Sequence, residues 1–150
     1  MPHSYVQCRL HCIFSTKARK NLIPADIQPR LWAYIGGIAR EHSMTALAVG
    51  GTDNHAHVLL AIPGTITIAK AMQVIKAGSS AWLHDTFATM RDFAWQEGYG
   101  AFSVSASSVE ETISYIAKQP EHHAALSFED EFKRFLDRHA VKYDPRYVFG

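Results

Sequence analysis

The sequence predicts an α+β fold: one antiparallel, ferredoxin-like sheet with two helices on one face and further helices added toward the C-terminus. Three observations carry this expectation. Residues 5–14 alternate apolar and polar side chains, the period of a strand. Two segments, 26–42 and 67–83, repeat apolar residues at helical spacing. The elements then follow one another as strand, helix, strand, strand, helix, strand.

In the first strand Val6, Cys8, Leu10, Cys12 and Phe14 share one face, while Gln7, Arg9 and His11 share the other, so it reads as half-buried. Ser15-Thr16-Lys17-Ala18-Arg19-Lys20-Asn21 follows as a polar, basic loop. Asp26 is placed to cap the first helix, with Pro29 tolerated in its first turn. Ile27, Leu31, Tyr34, Ile35, Ile38 and His42 form its inner face. Gly36-Gly37 inside that helix costs helical stability, which suggests close packing against the sheet.

Residues 45–49 and 55–62 read as two strands joined by the turn-rich Gly50-Gly51-Thr52-Asp53-Asn54. The second helix starts near Thr67, burying Ile68, Met72, Ile75, Ser79, Trp82 and Leu83 and exposing Lys70, Gln73, Lys76 and Ser80. Residues 93–104 are aromatic and strand-like, broken at Gly98-Tyr99-Gly100. Ser107 or Ser108, with Glu110 or Glu111 three residues on, forms a capping box that opens a third helix ending around Pro120. Ser127 caps a fourth helix carrying Phe128, Phe132, Phe135 and Leu136, before a tail with Tyr143, Tyr147 and Phe149.

Composition bounds the function without naming it. The 150 residues are 47% hydrophobic and 19% charged, which fits one folded domain over 1–150 and argues against disorder. No apolar run approaches the ~20 residues of a membrane span, and the opening Met-Pro-His-Ser-Tyr lacks the pattern of a secretory signal. Fifteen Lys and Arg against fourteen Asp and Glu leave a formal charge of +1, with nine His uncounted, so no partner is announced by net charge. Cys8 and Cys12 would lie about 13 Å apart along a strand, too far for the ~7 Å reach of a disulfide. No second ligand cluster gives them zinc spacing, so they read as reduced, buried thiols of a cytoplasmic protein.

The chemistry is concentrated in two places. In Asn54-His55-Ala56-His57-Val58, His55 and His57 project to the same face about 6.6 Å apart, while Ala56, Val58 and Leu60 face the core. Two imidazoles on a rigid strand suit one metal ion with open positions for substrate, or two surface histidines on a solvated face. In the third helix Tyr115 and Gln119 are i and i+4, hence neighbours on one face. A tyrosine oxygen bonded to phosphorus conserves the energy of a broken phosphodiester, and a glutamine carbonyl suits Mg²⁺ or Mn²⁺.

With these residues in view, the sequence resembles the single-tyrosine HUH transposases of bacterial insertion sequences, including the REP-associated tyrosine transposase family. His55-Ala56-His57 matches the His-hydrophobic-His signature. The likeness also runs through the segment from His11 to Lys17, Ala33 to Ala39, Ala48-Val49-Gly50-Gly51, Lys76 to Leu83 and Phe93 to Val104. Tyr115-Ile116-Ala117-Lys118-Gln119, followed by Glu121-His122-His123, completes it. The resemblance implies that His55, His57 and Gln119 hold a divalent metal, Mg²⁺ or Mn²⁺. It implies that Tyr115 attacks a phosphodiester of single-stranded DNA, forming a 5′-phosphotyrosine and freeing a 3′-hydroxyl that later rejoins strands. It also implies hairpin-bearing DNA as partner and a homodimer in which the tyrosine helix of one subunit can complete the other's site.

Lys17, Arg19 and Lys20 form the densest basic cluster and, with Lys76, are the expected DNA-binding residues; Lys70, Arg91 and Lys118 could extend that surface. Trp82, Trp95 and the aromatic tail are read as packing. His122 and His123, beyond Pro120, are read as structural or solvent-exposed. Two further classes stay open: a non-catalytic single-strand-binding module, and a metal-dependent nuclease that uses water without a covalent intermediate.

Overall fold

A computed structural model describes residues 3–149. Strand β1 (Cys8–Ser15) is central, paired antiparallel with β3 (His55–Ile62) on one side and β4 (Gly100–Ser103) on the other. Strand β2 (Thr45–Gly51) pairs with the outer edge of β3, giving the antiparallel order β2-β3-β1-β4. Helices α1 (Gln28–Glu41) and α2 (Ile68–Thr86) complete the expected ferredoxin-like core. The chain continues as α3 (Val109–Ala117), the short α4 (Gln119–His122) and α5 (Phe128–Arg138). No helix among the described residues is long and apolar enough to cross a membrane.

The strand period sorts side chains into two layers. Leu10, Cys12 and Phe14 of β1 and Ala56, Val58 and Leu60 of β3 pack with Leu31, Ile35 and Ile38 of α1 and Met72, Ile75 and Leu83 of α2. The opposite face carries His11 and Ile13 of β1 and His55 and His57 of β3. It is not solvated: α5 lays Phe128, Phe132 and Leu136 over Ile13 and Phe102 as a second apolar cluster. Each such side chain contributes about 1.5–3 kcal/mol when fully buried. The half-buried reading of the first strand therefore fails from Leu10 onward, where every residue to Ser15 is buried.

Helix starts differ from expectation in two places. Asp26 does not cap α1. A turn at Pro24, whose carbonyl accepts from the amides of Ile27 and Gln28, feeds directly into the helix, so its first flanking residue is Ile27 in helical conformation. The capping box at Ser107 or Ser108 does not form either, because a 3₁₀ turn at Ala106–Ser108 precedes α3 and leaves Ser108 non-extended. Thr67 and Ser127 do cap α2 and α5, accepting from the amides of Lys70 and Asp130.

The glycine pair in α1 makes no close approach: a methyl at Gly36 would meet nothing within 4 Å. Close helix packing occurs instead at Gly78 of α2, where a methyl would lie 3.0 Å from Ile38. The close approach that bears on the site is at Gly50, near the end of β2. A methyl there would stand 2.8 Å from the backbone oxygen of Ile116 and 2.9 Å from its side chain. Gly50 also pairs with His57, so this contact brings α3 down beside the histidine strand.

Candidate active site

His55 and His57 are both fully buried. Neighbours engage the Nδ1 atom of each ring. His57 Nδ1 lies 2.7 Å from Nε2 of His11, and His55 Nδ1 lies 2.8 Å from Asn54 Oδ1 and 3.0 Å from Thr52 Oγ1. Both rings thereby turn Nε2 into the space beneath α3–α5.

α3 supplies Tyr115 because Ile116, the next residue, is seated against Gly50. The ring of Tyr115 lies 5.9 Å from that of His57, centroid to centroid, within one chain. Gln119 does not continue α3, since Lys118 breaks the helix and Gln119 opens α4. It nonetheless reaches the site, fully buried, with Oε1 2.9 Å from Nε2 of His55. Pro120 permits the turn to continue because the first turn of a new helix has no use for its missing N–H.

That continuation corrects the reading of His122 and His123. His122 stacks on the Tyr115 ring at 4.6 Å, and His123 turns Nε2 inward. Gln119 and His123 are i and i+4, a spacing that becomes informative once Pro120 is read as opening a helix rather than closing one.

The residue that joins these groups is Glu131 of α5, which the sequence reading did not single out. It is 1% exposed and meets His55, His57, His123, Tyr115 and Gln119. Its Oε1 lies 3.0 Å from Nε2 of His57, 3.1 Å from Nε2 of His123 and 3.7 Å from Nε2 of His55. Its Oε2 accepts from the Tyr115 hydroxyl and, at 3.1 Å, from Nε2 of Gln119. A sequence signal does exist: position 131 falls between Phe128 and Phe135 on the apolar stripe of α5, where an acidic residue is almost never buried unless paired.

Burial and the proximity of His57 hold the His55 imidazole down to about 3, so that ring is neutral. Burial raises the Glu131 carboxyl, but hydrogen bonds from His123, His57 and Tyr115 outweigh it and keep it well below the usual carboxylate range. Burial, then the hydrogen bond to Glu131 and its charge, pushes the Tyr115 phenol above its ordinary value.

A neutral His55 carries one ring proton, yet both nitrogens face oxygens: Asn54 and Thr52 on one side, Gln119 on the other. The Gln119 amide is oriented by its donation to Glu131, so its oxygen is what meets His55. If Nδ1 carries the proton, two acceptor lone pairs confront each other at 2.9 Å. A cation between them would satisfy both. Donor atoms of His55, His57, His123 and Glu131 lie within 4.8 Å of one another, so the residues fit a divalent metal and extend the expected set of His55, His57 and Gln119.

The expected DNA-contacting residues are dispersed. Lys17 and Lys20 are exposed at the end of β1, whereas Arg19 lies 3.7 Å from Glu129 and 4.8 Å over the Phe149 ring. Lys76 donates to the carbonyls of Glu97 and Gly98 at 3.1 and 2.9 Å, tying α2 to the loop before β4.

Comparison with known proteins bears on the fold and the family. By fold, the chain is similar to a candidate transposase from Deinococcus radiodurans (TM-score 0.66, 18% identity, 79% of this chain and 95% of that one). It is also similar to a REP-associated tyrosine transposase solved with a REP hairpin (TM-score 0.60, 16% identity, 95% of this chain and 87% of that one). No functionally curated protein matches the sequence. The sequence model described as "Transposase IS200 like" matches residues 4–119, which include β1–β4, the histidine pair, Tyr115 and Gln119. The chain belongs to the IS200-like transposase family.

Proposed function

We propose that this IS200-like transposase breaks and rejoins single-stranded DNA through Tyr115. Family membership carries DNA transposition as the class of activity. The observation that supports the specific chemistry is the convergence of the Tyr115 hydroxyl, Gln119 and three histidines on the single carboxylate of Glu131.

The Tyr115 oxygen attacks a phosphodiester phosphorus, the bond from phosphorus to the 3′-oxygen breaks, and a 5′-phosphotyrosine and a free 3′-hydroxyl result. The phenol must lose its proton, and Glu131 Oε2 is the acceptor already in hydrogen-bond contact. The departing 3′-oxygen takes up a proton. In the reverse sense a 3′-hydroxyl attacks the phosphotyrosine and reseals a strand without ATP. A divalent metal held by His55, His57 and Gln119, with His123 and Glu131, would polarise the scissile phosphate. Three imidazoles and a carboxylate suit Mn²⁺ better than Mg²⁺ among the two expected ions. Tyr115 lies beside its own chain's histidine pair, which supports a site built within one subunit, and a homodimer would bring two such sites to two strand ends. Hairpin-bearing single strands are the proposed substrate, with Lys17, Arg19, Lys20 and Lys76 as proposed contacts.

Incubation with hairpin-bearing single-stranded DNA and Mn²⁺, followed by a denaturing gel, tests this. A covalent protein–DNA adduct is expected from the wild-type chain and none from Tyr115→Phe. An adduct that persists in Tyr115→Phe removes the nucleophile assignment. Cleavage without adduct establishes the water-using nuclease instead.

A further inference from the structure

We propose that a cavity between α5 and the β4–α3 segment holds the single strand on its way to Tyr115, with Arg134 and Arg138 of α5 as its phosphate contacts. This inference rests on the proposed use of DNA at Tyr115. The cavity has a volume of about 950 Å³, and Tyr115 and Glu131 form part of its wall. Small-ligand pockets span roughly 300–1,000 Å³, so there is room for more than one nucleotide. His55, His57 and Gln119 are sealed at 0% exposure, so a phosphate reaches the tyrosine from this side.

The lining suits a nucleotide chain. Arg134 and Arg138 are i and i+4, on one face of α5 and about 5–6 Å apart at Cβ, a separation near that of successive phosphates in an extended strand. Both are exposed, and among the described residues neither forms an ion pair. Beside them Phe135 and His139 lie with ring planes 11° apart, and Phe102 packs against both at 5.5 and 4.6 Å. Phe102 is buried beneath them, so the half-buried rings of Phe135, with Arg138 5.9 Å over it, and His139 are the ones placed to stack on bases of any sequence. Glu111 and Glu121 also line the cavity and would repel a phosphate from their side, which directs the backbone along the arginines. α5 lies beyond residue 119, where the match to the family's sequence model ends.

The test measures equilibrium binding rather than cleavage, in the full chain carrying Tyr115→Phe. The probe is a fluorescent oligothymidylate of about 12 nucleotides, within the ~4–16 that single-strand folds cover. Arg134→Gln with Arg138→Gln is expected to weaken binding about tenfold at low salt and to reduce the slope of log K against log[salt] by about 1.4, roughly 0.7 for each single-strand phosphate left without its arginine. Arg40→Gln on α1, in the opposite layer, is expected to change neither. Unchanged affinity and slope in the double variant overturn the proposal, as does an equal loss in Arg40→Gln or failure of the parent to bind the probe. Any of these results alongside a Tyr115-dependent adduct leaves the proposed chemistry standing and removes only the cavity. Both arginines are solvent-exposed, so an unchanged melting curve is expected to accompany the loss of binding.

Discussion

Gly50 is the position where the smallest perturbation should separate fold from function. Its pro-Cβ direction points at the main chain of α3: an added methyl would lie 2.8 Å from the Ile116 oxygen and 2.9 Å from Ile116 Cγ2. Ordinary contact needs about 3.5–4 Å, so α3 must retreat by roughly 1 Å or the end of β2 must bend. Overpacking of this kind costs about 1–3 kcal/mol, equivalent to about 2–12 °C in melting temperature for a chain near this size. The larger consequence is for Tyr115, which precedes Ile116 and would be carried away from Glu131 and the histidines. A displacement near 1 Å can lower a rate by about 100-fold. Gly50→Ala is therefore expected to remain folded by circular dichroism, melt lower, and form the DNA adduct about 10- to 100-fold more slowly. Gly36→Ala provides the opposite case, because a methyl there meets nothing within 4 Å. It is expected to stabilise α1 by about 0.4–1 kcal/mol and to leave adduct formation unchanged. Wild-type adduct kinetics in Gly50→Ala would refute the claim that this contact seats the nucleophile.

Acid should destabilise the metal-free protein. Below pH 6.5 the unfolded chain protonates His55 while the folded chain, with that group held down to about 3, does not. Stability is thus fully present above pH 6.5 and falls as pH falls, by about 1.4 kcal/mol at pH 5.5 from His55 alone. The depressed Glu131 carboxyl adds loss in the same direction below its ordinary value of 4.5. Urea midpoints in EDTA at pH 7.5 and 5.5 measure this, and equal midpoints would contradict it. Glu131→Gln should weaken Mn²⁺ binding by about 10–100-fold in titration calorimetry while Tyr115→Phe leaves it nearly unchanged, because only the former removes a metal-facing donor. Burial and the neighbouring Cys8 push the Cys12 thiol up to about 12, so a thiol reagent at pH 8 should label Cys8 in the native protein and reach Cys12 only after unfolding.

Local pattern determined much of this protein. The period of two in β1 and β3 assigned Leu10, Cys12, Ala56 and Val58 to one layer, and put His55 and His57 together on the other, because alternation along a strand is a property of the backbone itself. The order of elements determined the ferredoxin-like sheet, and the His-hydrophobic-His and tyrosine segments carried the family. Tertiary structure alone decided what covers the second face. Glu131 meets His57 across 74 positions and His11 meets His57 across 46, distances over which no periodic pattern operates. The same holds for the capping positions that moved: Asp26 and Ser108 had the right chemistry, but the turns at Pro24 and Ala106–Ser108 had already set the helix entry. The two histidines were legible because one strand holds them. The carboxylate that links them to the tyrosine became visible only when α5 folded back over the sheet, since its place is set by the burial of Phe128, Phe132 and Leu136 against Ile13 and Phe102.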